Sequence, residues 1–176
     1  MQCDIVTTAD DQPNDQPATE SSADTARLEP STPEFAADGF EAQVLGRINA
    51  ARAQARSCGA QRFAAAPMVA WNERLKAAAD VHTRNMIAKD FFAHMGSDGS
   101  NVGTRATKAG YAWSAVGENI AAGYASLDGV MRGWLESPGH CANLMNPGFT
   151  EVGLAMRASE GTKYTSYWTL VLARPR

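Results

Sequence analysis

The apolar pattern of this 176-residue chain changes its period after Pro147. Before that point apolar side chains recur at three- and four-residue steps, as they do in helices with one buried face. After it, Glu151 to Arg157 and Tyr164 to Ala173 alternate, as strands do. Ser159-Glu160-Gly161-Thr162 fits the hairpin turn between these strands. Helix stripes and a sheet face must cover one another, so a run of helices closed by a terminal hairpin predicts an α+β layered domain.

The helices can be placed from their caps. The first starts at Asp38, with Phe40, Val44, Ile48, Ala51 and Ala55 on one face and Gly59 just past its end. A loop from Ala60 to Ala70 leads to Trp71. Asn72 caps the second helix, whose stripe is Leu75, Ala79, His82 and Met86. A lone histidine on such a stripe reads as a packed, hydrogen-bonded core residue, which leaves His82 outside the candidate site. Thr104 to Ala109 reads as a short helix ending at Gly110, with Arg105 and Lys108 pointing outward. Val116 to Tyr124 is a strand or an extended turn carrying Glu118. Ser126 caps a third helix that buries Leu127, Val130, Met131 and Trp134. Ser137 caps a further one with Pro138 at its first position, which puts His140 in a first helical turn.

Charge divides the chain. Residues 1–40 carry nine acidic side chains and one Arg, net −8, which leaves net +5 for 41–176. Residues 1–38 are rich in Asp, Ser, Thr and Pro and show no apolar periodicity; they read as a disordered acidic tail preceding one domain over 39–176. The basic residues form no cluster, so nucleic acid is not expected as a partner. No apolar run approaches the ~20 residues of a membrane span, and the domain is expected to be a monomer. Cys58 and Cys141 form an even pair within the domain. They point to a disulfide and an oxidising compartment, the other reading being two buried thiols. Cys3, so near the start of the tail, is either a lipid-bearing cysteine that would anchor the chain to a bacterial envelope or an incidental thiol.

The chemistry-bearing residues are His94, Glu118 and His140. Two imidazoles and a carboxylate can fill three positions around zinc and leave one for water, and they also suit acid–base work. The 46-residue separation of the two histidines is unlike the close spacing of a helical pair in zinc peptidases. Ser97, Ser100, Ser114 and Ser137 have simpler loop or cap readings than nucleophile.

Seven motifs in order resemble a known family. They are W-N-x-x-L from Trp71, F-x-H-x-x-x-D-G-S from Phe92, R-x-x-x-A-G-Y from Arg105, G-E-N-I-A-x-G from Gly117, W-x-x-S-P-G-H from Trp134, N-L-x-N-P from Asn143 and Y-W-T from Tyr167. Together they are similar to the bacterial branch of the CAP superfamily, which includes cysteine-rich secretory proteins, venom antigens and plant pathogenesis-related proteins. Over residues 40–173 the resemblance implies a three-layer α-β-α sandwich around a small antiparallel sheet. It also implies a secreted, periplasmic or outer-envelope location and a central cleft holding His94, Glu118 and His140. His94 and His140 are its expected metal ligands, with zinc or another divalent ion as the expected cofactor. Where eukaryotic members carry a further glutamate, this chain has Ser137, one residue after Glu136. The expected function is binding of an extracellular ligand (a peptide, a cell-wall component or a lipid). The alternatives are metal-dependent hydrolysis of peptide or cell-wall bonds, in which His94, Glu118 and His140 would be catalytic, and lipid or sterol carriage.

Overall fold

The structure is a computed structural model that describes residues 2–9 and 38–176. Its main sheet has the order β1-β5-β7-β6-β4, from strands Gln2–Ala9 (β1), Trp113–Ala122 (β5), Ser166–Pro175 (β7), Glu151–Ala158 (β6) and Ala70–Trp71 (β4). Its pairings are antiparallel except β4 with β6, which is parallel. The helices are α1 (Asp38–Arg52), α2 (Glu73–Ala88), α3 (Val102–Lys108), α4 (Leu127–Glu136) and α5 (Pro138–Met145). A separate two-stranded hairpin joins β2 (Arg56–Cys58) to β3 (Gln61–Phe63).

Alternation along the strands sorts the helices into two layers. Trp168, Leu170 and Leu172 of β7, with Ala121 of β5, meet Val44 and Ile48 of α1, Trp134 of α4 and Leu144 of α5. Val171 and Ala173 of β7, with Val116 of β5, meet Leu75 and Ala79 of α2 and Val102 and Ala106 of α3. The sheet is therefore buried on both sides, and the domain is an α-β-α sandwich. Gly153 makes the close packing of α2 possible: a β-carbon there would overlap the backbone of Leu75 and Lys76.

Local chemistry set most of the boundaries. Asn72 Oδ1 accepts from the amides of Arg74 at 2.9 Å and Leu75 at 3.4 Å, and Ser126 Oγ from Gly129 at 3.1 Å. The first helix stops at Arg52, earlier than its pattern predicts, and Ala55 is exposed. Gly59 belongs instead to the β2–β3 turn, at φ +61. Arg52 is fully buried, and its guanidinium donates to four carbonyls: Pro67 at 2.7 Å, Leu144 at 2.7 Å, Asn146 at 3.0 Å and Phe149 at 3.1 Å. The terminal hairpin is joined by a longer connection than the expected turn, over 159–165. Cys58 and Cys141 are bonded as a disulfide that ties the β2–β3 hairpin to α5. Within the expected tail, Gln2–Ala9 pairs along β5, with Cys3 opposite Ala121. Its Ile5-Val6-Thr7 run suits a strand. The rest of that stretch lies outside the described residues. No helix among the described residues is long and apolar enough to cross a membrane.

Candidate functional site

Glu118 is the hub. It lies mid-strand in β5, fully buried, on the face shared with Val116 and Ile120. Its Oε1 accepts from His94 Nδ1 at 2.8 Å and its Oε2 from Arg105 Nη2 at 2.7 Å. His82 Nε2 stands 4.0 Å from Oε1. Burial opposes the charge on Glu118, but the bond from His94 and the charges of Arg105 and His82 outweigh it, so the carboxyl titrates below its ordinary range. An ionised carboxylate only accepts, so the Nδ1 of His94 carries the proton in this bond. His94 Nε2 is then the lone-pair edge of the ring; it is buried and has no hydrogen-bond partner among the described residues.

Two residues that the sequence places elsewhere complete this cluster. Arg105, expected to point outward, is buried at 4% exposure and also donates from Nη1 to the Ser100 carbonyl at 2.7 Å. Its signal was present: α3 begins at Val102, and Arg105 lies one turn on, beside Val102 and Ala106 on the buried stripe. Lys108 is exposed, as expected. His82 is the packed, hydrogen-bonded core residue its helical face predicts, and it is also a neighbour of the site. Its Nε2 donates to the Ala93 carbonyl at 2.9 Å, and burial pushes its pKa down to about 4.

His140 is held differently. It lies in the first turn of α5, 2% exposed, with Nδ1 2.7 Å from Ser137 Oγ. Ser137 occupies the N-cap position, yet its hydroxyl serves His140 and makes no capping bond. Asn119 Nδ2 donates to the His140 carbonyl at 3.1 Å, and Asn143 Nδ2 to Asn119 Oδ1 at 3.0 Å. Glu118 and Asn119 are successive strand residues and face opposite sides of the sheet. His94 and Glu118 are thus in direct contact, while the backbone of His140 is tied to β5 through Asn119.

A divalent ion can be weighed against this donor set. Both oxygens of Glu118 are engaged by cationic or donor groups, so it orients His94 and is not a third ligand. Among the described residues, no group of three or more His, Cys, Asp or Glu side chains is arranged around a cation. What fits is an imidazole nitrogen backed by a carboxylate, the way metal-binding histidines are commonly oriented.

Residues 45–172 match the family described as the Cysteine-rich secretory protein family, CAP. The chain is 28% identical over 138 residues to the uncharacterized protein YkwD of Bacillus subtilis (strain 168), covering 78% of this chain and 49% of that protein. It thus spans about half the length of that relative. An extracellular protein containing a SCP domain from Bacillus anthracis str. Ames superposes with a TM-score of 0.58 at 23% identity, over 84% of this chain and 45% of that one. An outer surface protein from Borrelia burgdorferi superposes with a TM-score of 0.61 at 14% identity, over 78% of this chain and 90% of that one. At such identities these likenesses speak to the fold.

Proposed function

The chain belongs to the cysteine-rich secretory protein (CAP) family, and from that membership and the Glu118 cluster we propose that it is an extracellular or envelope-attached binding module whose contact group is His94. One observation carries this reading: Glu118 is immobilised on both oxygens, 2.8 Å from His94 Nδ1 and 2.7 Å from Arg105 Nη2. A carboxylate so held is a poor base for activating water, which argues against hydrolysis led by Glu118. It is well suited to fixing a ring so that Nε2 meets a ligand. The bacterial relatives described as extracellular or outer-surface proteins support the location. The ligand class that suits this reading is a peptide or cell-wall component offering a hydrogen-bond donor or a bound cation.

In the same reading a divalent cation is taken up by the imidazoles of His94 and His140, with Glu118 behind His94. A bound cation would supply a Lewis-acidic point for a ligand oxygen. Calorimetric titration of zinc into chelator-stripped protein tests this, beside His94→Ala, His140→Ala and Glu118→Gln with matched circular dichroism. We expect one-site binding that is lost in both alanine variants and weakened about 10- to 100-fold in Glu118→Gln. Zinc binding indifferent to His94 would overturn the assignment of His94 as the contact group. Binding indifferent to His140, or none at all, would overturn the two-imidazole cation site.

A further inference from the structure

The main sheet ends differently at its two edges. One edge is covered by β1, which pairs with β5 from Gln2 to Ala9. At the other, β4 reaches only Glu151 and Val152 of β6, so Gly153 to Ala158 has a strand neighbour on one side alone among the described residues. Parity tells which groups that leaves outward. The Val152 oxygen accepts from the Asn72 amide at 2.9 Å, on the β4 side, and a strand turns its N–H and C=O to the same side at every second residue. Leu154, Met156 and Ala158 therefore aim theirs away from β7, while Gly153, Ala155 and Arg157 aim theirs toward it. Natural edges are blunted by proline, bulges or charge. This stretch has no proline, pairs with β7 without a register shift, and carries one charge, Arg157, which is drawn back to Asp80 at 2.6 Å.

What flanks the edge is self-complementary. Two open grooves of about 410 and 470 Å³ run along it and meet at Met156 and Arg157. In the layer of α1, Phe40 and Met156 are exposed apolar side chains, at 42% and 37%. In the other layer α2 runs beside the edge, from Lys76 against Gly153 to Ala88 on the groove it shares with Ala158. Its groove-lining row alternates in charge: Glu73, Lys76, Asp80 and Arg84. From Gly153 to Met156 the strand advances about 10 Å, which matches about six or seven helical residues counted from Lys76. Met156 thus lies level with the helix between Asp80 and Arg84.

We propose that the β6 edge pairs antiparallel with the β6 edge of a second copy of this chain, about a two-fold axis at Met156. The sheet then runs unbroken through both copies. Met156 meets its own counterpart, and Arg157 falls opposite Ala155, so no like charges face each other in the new ladder. The same axis sets Asp80 of each copy against Arg84 of the other, as a two-fold requires of a self-complementary patch. An extended peptide would satisfy the outward amides but leave the α2 row facing water. A second copy answers both. Leu154 to Ala158 is a short edge, so the dimer is expected to be weak, dissociating in the micromolar range.

Sedimentation velocity of the full chain over rising concentration tests this, with hydrogen exchange of the β6 amides read at both ends of the range. We expect a monomer–dimer equilibrium in which Leu154, Met156 and Ala158 exchange quickly when dilute and slowly when concentrated, while Gly153, Ala155 and Arg157 stay slow throughout. Asp80→Arg and Arg84→Asp, matched by circular dichroism, should each weaken the dimer about tenfold or more, because like charges then meet across the axis. Mixing the two variants should restore it, since each supplies the charge the other lacks. A monomer at every concentration overturns the proposal: slow outward amides in it would show the edge covered by its own chain, and fast ones would leave the edge to an extended segment of another protein. A dimer whose outward amides stay fast, or that neither variant weakens, lies on another surface. Weakening without rescue on mixing would remove the Asp80–Arg84 contact, and with it the axis at Met156.

Discussion

Arg105 and Glu118 form a buried ion pair, Nη2 to Oε2 at 2.7 Å, at side-chain exposures of 3% and 0%. Removing one partner strands the other charge in the interior, which is far worse than losing the pair. Arg105→Met should therefore cost about 3–5 kcal/mol, whereas Arg105→Met with Glu118→Leu should recover much of that loss. Urea unfolding of the two single variants and the double variant measures the coupling; additive losses would contradict it.

Acid should weaken the fold in two stages. His82 has a folded pKa near 4, below its ordinary value of 6.5, so the unfolded chain takes up the proton first. Its contribution is fully present above about pH 6.5 and is lost as pH falls toward 4, on the order of 3 kcal/mol in all. Glu118, whose pKa is also depressed, adds a loss at lower pH, below the ordinary carboxylate range. Chemical denaturation across pH 7 to 4 should show the first stage in the native chain, and His82→Gln should flatten it.

Arg52 is a cation satisfied by carbonyls alone. Arg52→Met leaves the Pro67, Leu144, Asn146 and Phe149 oxygens without their shared donor, and should cost about 3 kcal/mol or more. Arg52→Lys should rescue little, because an ammonium cannot span the same fork. Thermal melts of both variants decide between loss of charge and loss of geometry.

Reducing the Cys58–Cys141 bond opens a loop of 83 residues, and the chain-entropy model puts the loss at about 4.5 kcal/mol. Alkylation of the native protein without reductant should label neither cysteine. Modification of Cys141 under those conditions would show the bond absent.

Legibility followed range. Asn72, Ser126 and the alternating terminal strands were readable because caps and face alternation are local chemistry. Arg105 was misread through a boundary: starting its helix at Thr104 hides Val102, the residue that marks Arg105 as lying on the buried stripe. The approach of His82 to Glu118 crosses 36 residues of chain and two elements, and no local pattern encodes it. That Asn119, one residue after Glu118, turns to the other face and holds the His140 carbonyl is readable only once Val116 to Tyr124 is known to be a strand. The strand at Gln2–Ala9 was hidden by the acidic composition around a short β-branched run.

The helix bearing His140 is fastened at two points, through Cys141 to the β2–β3 hairpin and through its Leu144 carbonyl to Arg52. If it serves the binding role proposed above, a surface mounted this way is shaped before any ligand arrives. Little ordering entropy is then left to set against association, so selectivity should come from shape and hydrogen-bond match and not from the protein closing around what it holds.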